Sequence, residues 1–173
     1  MEGEIQLDIQ LDKETCRVGG SVAIIYTLRN VGQRPLTVLP WGGEYATNWI
    51  HGFSSNGGGT RLGIIHKVMY ELKLVPERHD FINLEPGKSF TRQFTAKLSM
   101  EVPPKEATET KTSRFALDFR DSAILFPNPG RYFLQGYFIG KDRWSEEGQS
   151  RYGFNNIFVG EVKSAKVRFI ISP

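Results

Sequence analysis

The chain has 173 residues, 39% of them apolar and 12% aromatic, which excludes a wholly disordered protein and makes one domain around one sizeable core the expectation. Its 22 basic and 19 acidic residues leave a net charge of +3 at pH 7, with the two signs interleaved, as in Glu71 and Lys73 or Lys141, Asp142 and Arg143. No Lys/Arg run marks a nucleic-acid footprint and no apolar stretch approaches the roughly 20 residues that span a bilayer, so neither nucleic acid nor membrane insertion is expected.

Residues 4–11 alternate cleanly: Ile5, Leu7, Ile9 and Leu11 share one side, Gln6, Asp8 and Gln10 the other, the pattern of a half-buried strand. A turn over 13–20 ends in Gly19-Gly20, and 21–30 form a second strand with Val22, Ile24, Tyr26 and Leu28 on one face. The cluster NVGQRP (30–35) is a turn and 36–40 a short third strand. Residues 41–61, WGGEYATNWIHGFSSNGGGTR, break the alternation. So long a stretch without periodicity is uncommon in a compact domain unless it is functional or disordered, and it reads as the first insertion.

Alternation returns over 62–75, a long strand, and a short one follows at 81–84. EPGK (85–88) is a turn, since Pro sets φ and Gly accepts positive φ. Residues 89–98 are the next strand, although Arg92 falls in its apolar register with Phe90, Phe94, Ala96 and Leu98, which suggests an edge position or a register one residue off. A second insertion covers 99–122. It is polar at first, with an extra strand over 113–119 from Phe115, Leu117 and Phe119. PNPG (127–130) turns into a strand over 131–140, a polar loop covers 141–156, and strands at 157–162 and 166–172 close the chain. About eight or nine strands and no helix predict an all-β, immunoglobulin-like antiparallel β-sandwich, a single domain over 1–173 with insertions at about 41–61 and 99–122.

No catalytic signature accompanies this pattern. His51, His66 and His79 lack the short spacing of a local ligand pair, so neither metal nor cofactor is expected. There is no Gly-x-Ser-x-Gly elbow, no argument pairs two carboxylates for glycoside hydrolysis, and SNGGGTRLG (55–63) lacks the Gly-Lys-Ser/Thr ending of a phosphate loop. Cys16 is alone, which rules out an intrachain disulfide. With no signal-peptide pattern in the opening Met-Glu-Gly-Glu, the expectation tilts toward a cytoplasmic protein.

The distinctive chemistry is aromatic. Tyr45, Trp49 and Phe53 in the first insertion, with Arg143, Trp144, Arg151 and Tyr152 in the polar loop, are the candidate binding residues. Trp and Tyr offer large rigid contact area at low entropy cost, and Arg supplies polar anchors. Trp41, directly after a strand, reads as a core cap. These residues predict a non-enzymatic protein-binding module. One alternative is a carbohydrate-binding module stacking sugars on Trp49 and Trp144. Another is a structural subunit whose 99–122 arm reaches a neighbour.

NVGQRPLTVLPWGGEY (30–45) is similar to the N-x-G-x-x-P/D-L-x-L-L-x-x-G-T stretch in the pro-domain of deuterolysin-type metalloproteases. LEPGKSFTRQF (84–94) and PNPGRYFLQGYF (127–138) stand where that family reads L-x-P-G-E-S and G-x-Y-x-V. The resemblance covers about half the chain and implies an immunoglobulin-like fold and a protease as the protein partner. The catalytic His-Glu-x-x-His is absent from this chain. A fainter likeness, to chagasin-like cysteine-protease inhibitors, rests on Gly57-Gly58-Gly59-Thr60 and Arg143-Trp144, and the third loop of that family is missing.

Overall fold

The computed structural model describes residues 4–40, 49–55, 59–66, 76–101, 114–119, 122–140 and 142–173. In chain order its strands are β1 (Ile5–Leu11), β2 (Thr15–Arg17), β3 (Ser21–Asn30), β4 (Leu36–Val38), β5 (Ile50–Ser54), β6 (Ile64–His66), β7 (Ile82–Leu84), β8 (Ser89–Glu101), β9 (Arg114–Asp118), β10 (Ser122–Phe126), β11 (Gly130–Gly140) and β12 (Gly160–Ser172). An α-helix, α1 (Asp142–Tyr152), lies between the last two strands, and a short 3-10 turn covers Arg78–Asp80.

Alternation decides the inner faces. Ile5, Leu7 and Ile9 of β1 and Val22, Ile24, Tyr26 and Leu28 of β3 are buried together, and the two strands pair antiparallel with Leu7 opposite Leu28. Strands β1-β3-β8-β9-β10-β6 form a six-stranded sheet, curled like half a barrel. A four-stranded sheet runs β2-β12-β11-β5, with only β2 and β12 parallel, and β4 pairs with β7. Both large sheets feed one core, in which Phe126 of β10 meets Tyr132 of β11 at 4.7 Å and Phe169 of β12 at 5.7 Å. Two glycines let the sheets approach closely. A Cβ on Gly136 would stand 2.6 Å from Ile9 Cγ2, and one on Gly52 would stand 2.7 Å from Ile124 Cγ2.

Several sequence expectations change. The turn at 13–20 contains β2, and the first insertion contributes β5, because Trp49, Ile50 and Phe53 are buried against the sheet rather than held on a loop. Of the strand expected over 62–75, Ile64–His66 is β6 and residues 67–75 lie outside the described part. The second insertion is partly sheet: β8 continues to Glu101 and β9 and β10 form an antiparallel pair, with 102–113 outside the described residues. Arg92 is in register, on a stretch of β8 whose described pairing is with β3 alone. It sits opposite buried Tyr26, and its guanidinium lies 5.0 Å from the Trp49 ring and 5.1 Å from Phe94, so a cation closes the apolar row by covering aromatic faces.

The expectation of no helix is also corrected. The polar loop over 141–156 holds α1, whose composition is nearly all charged or polar and therefore hides the helical period. Glu147 and Arg151 pair at 2.6 Å across one turn. At the end, Gly153 takes φ +72°, its N–H reaches Gln149 O at 3.1 Å, and Phe154 N–H reaches Gly148 O at 3.3 Å. The bond from Gly153 N–H four residues back is that of an αL stop, and the glycine after the polar run is the signal in the sequence that marks it. The helix rests on a satellite cluster of Leu39, Phe81 and Ile157, with Tyr152 and Phe154 packed against it.

Candidate binding face of the four-stranded sheet

The strands expected at 157–162 and 166–172 are a single strand, β12, interrupted by a bulge. Tyr137 of β11 stands opposite Lys163 and Gln135 opposite Lys166, so Ser164 and Ala165 together face Gly136. In a regular strand, residues three apart point to opposite faces. The extra residue reverses the phase, and Lys163 and Lys166 emerge on the same outer face. Ser164 holds the bulge: its buried hydroxyl accepts from Gly136 N–H at 2.8 Å and donates to Ala165 O at 2.6 Å. Gln135 Nε2 donates to Ser164 O at 2.7 Å.

Both lysines rest on aromatic rings of the neighbouring strands. Lys163 Nζ lies 5.2 Å from the Tyr137 centroid, and Lys166 Nζ lies 4.2 Å from that of Phe53. Lys163 also pairs with Glu161 at 2.7 Å, and the hydrogen bond and charge of that carboxylate push the ammonium above its ordinary value. One row further along, Arg168 stands opposite Phe133 and holds Glu14 Oε2 at 2.9 and 3.1 Å.

His51 of β5 lies beneath this surface. It is 4% exposed, pairs in register with Gln135, and stacks on Tyr137 with centroids 4.0 Å apart. Arg61 Nη2 approaches its Nε2 at 3.2 Å. Because a guanidinium only donates, Nε2 must accept and the ring proton sits on Nδ1, which has no partner among the described residues. Burial, then the Arg61 charge, pushes His51 down to about 4. The ring is therefore neutral near pH 7, and among the described residues Arg61 is its one hydrogen-bond partner.

The residues expected to bind do not form one cluster. Trp49 is in the core, 4.9 Å from Tyr26 and 5.7 Å from Phe94. Phe53 is buried under Lys166 on the outer face. Arg151 is tied to Glu147 on α1, and Tyr152, half-buried, donates to Pro76 O at 3.0 Å and meets Phe81 edge-on. Arg143 and Trp144 fall on α1, with side chains outside the described part, and Tyr45 lies outside the described residues. Sequence reading missed His51, Arg61, Tyr137, Lys163 and Lys166. The available signal was the odd separation of inward Val162 and Val167, which only a bulge reconciles with one strand.

Cys16 is buried, and burial raises its thiol above the ordinary value, so it is not an activated nucleophile. Among the described residues, no three His, Cys, Asp or Glu side chains converge as a metal site, and no helix is long and apolar enough to cross a membrane. No protein-family model matches the chain, and no curated protein matches it.

Proposed function

We propose that the chain is a non-enzymatic protein-recognition module on an immunoglobulin-like sandwich, with the outer face of the four-stranded sheet as its principal binding surface. The fold reading draws support from strand order. β1, β3 and β8 adjoin in one sheet and β5, β11 and β12 in the other, the grouping of A, B, E and C, F, G strands. The β9–β10 pair then extends the first sheet. A tyrosine corner adds to this: Tyr132 at the start of β11 donates to Asn128 O at 2.6 Å.

The functional reading rests on one observation. The bulge in β12 gathers Lys163 and Lys166 over Tyr137 and Phe53 on one face. Exposed cations beside aromatic rings combine charge with apolar contact area, the two kinds of contact that a protein interface draws on. A protease is the partner class to screen first, on the strength of the pro-domain resemblance. The carbohydrate reading loses ground because Trp49 packs inside the core and offers no ring face to a sugar.

The test is independent of charge. A photo-crosslinking amino acid is placed at exposed Ala165, at the bulge, and in a second version at exposed Thr95, on the six-stranded sheet. Crosslinking in the native lysate is expected to join a protein at 165 and not at 95, and the purified partner is expected to bind the unmodified chain. Equal labelling at both positions, or none at 165, removes the assignment.

A further inference from the structure

We propose that this face docks an extended acidic segment of the partner, with carboxylates at alternate positions. The inference rests on the protein-recognition reading and adds the chemistry of what is recognised.

The bulge turns β12 into a ladder of cations. Arg168, Lys166 and Lys163 stand opposite Phe133, Gln135 and Tyr137, three consecutive rows of one face. Same-face positions along a strand are about 6.6–6.8 Å apart, and alternate side chains of an extended peptide repeat at the same distance. A segment lying along β12 therefore keeps its alternate side chains in step with these rows. Arg131, opposite Ile170, adds a fourth row, and Arg61 lies across the sheet at His51.

Charge complementarity specifies the sign of the ligand. The carboxylates at this face, Glu14 and Glu161, are already held by Arg168 and Lys163. Among the described residues, Lys166, Arg131 and Arg61 have no carboxylate partner: Lys166 rests on Phe53 and Arg61 on a neutral histidine. Three cations are left for an incoming acid. Along the ladder, unpaired Arg131 and Lys166 alternate with paired Arg168 and Lys163, a spacing that suits discrete carboxylates better than a continuous polyphosphate. Strand addition beside β5 is closed off, because Leu62 N–H bonds Gly52 O at 2.8 Å and Ser54 N–H bonds Thr60 O at 2.9 Å. The proposed ligand lies on the face, along β12.

The full chain is titrated with a synthetic ten-residue peptide of alternating Glu and Thr, with a Gln-for-Glu peptide and a dodecamer of deoxythymidine alongside. Affinity is read by fluorescence anisotropy and location by amide chemical shifts. The Glu peptide is expected to shift residues 163–168 and Tyr137, to weaken with added salt, and to lose about tenfold or more in affinity with Lys166→Glu and several-fold with Arg131→Gln. Lys88→Glu, on the distant 85–88 turn, is expected to leave it unchanged. Thermal melts of each variant separate lost binding from lost folding. Equal binding of the Gln peptide, tighter binding of the oligonucleotide on this face, or an affinity indifferent to Lys166→Glu in a folded variant overturns the proposal. A partner crosslinked at 165 through a neutral segment would keep the recognition reading and remove this one.

Discussion

At the scale of single residues, His51 shows how burial converts a titratable group into a structural one. Stacked on Tyr137 and facing Arg61, it is held down to about 4, against an ordinary value of 6.5. Between those values the unfolded chain takes up a proton on this imidazole and the folded chain does not. The unfolded state then binds more protons, so the contribution of this group to stability is whole above about pH 6.5, declines as pH falls toward about 4, and levels off below. Comparing the chain with His51→Gln by denaturant unfolding from pH 8 to 4 is expected to show the stability difference shifting toward the variant through that window. Parallel curves would mean that His51 is free to protonate in the folded chain.

At the scale of elements, one buried hydroxyl makes two of the hydrogen bonds at the bulge in β12. With Ser164→Ala, the buried Gly136 N–H loses its partner, and an unsatisfied buried donor costs about 1–3 kcal/mol. Chemical denaturation should show that loss. Ser150→Ala, whose exposed hydroxyl makes only a 3.3 Å contact with Glu147 O on α1, is expected to change stability by no more than about 0.5 kcal/mol. If both variants behave alike, Ser164 does not hold the bulge. The same element shows where periodicity stops being informative. Alternation located β1 and β3 because neither is interrupted, whereas the one extra residue opposite Gly136 made one strand resemble two. Helix α1 was missed for a different reason: its sequence, DRWSEEGQSRY, is nearly all charged or polar, so no apolar stripe announced it.

At the scale of the whole molecule, the two large sheets are joined by a hydrogen bond as well as by the core. Tyr26 of β3, fully buried, donates its hydroxyl to Tyr137 O of β11 at 2.8 Å, and burial drives that phenol well above its ordinary range. Tyr26→Phe keeps the ring against Trp49 and Phe94 and removes only the donor. A loss of about 1 kcal/mol in unfolding free energy is expected. An unchanged midpoint would assign the docking of the sheets to apolar packing alone.

Composition, alternation and turn chemistry by themselves determined an all-β chain, the inward residues of β1, β3 and β8, and the turns at 85–88 and 127–130, because each depends on neighbours within a few residues. Only the tertiary structure decided that Trp49 belongs to the core, that Arg92 closes an aromatic row, and that Lys163 and Lys166 share a face. Those outcomes depend on which strands become neighbours and on one bulge that reverses the phase of a strand, and both are properties of pairing between distant segments that local sequence does not encode.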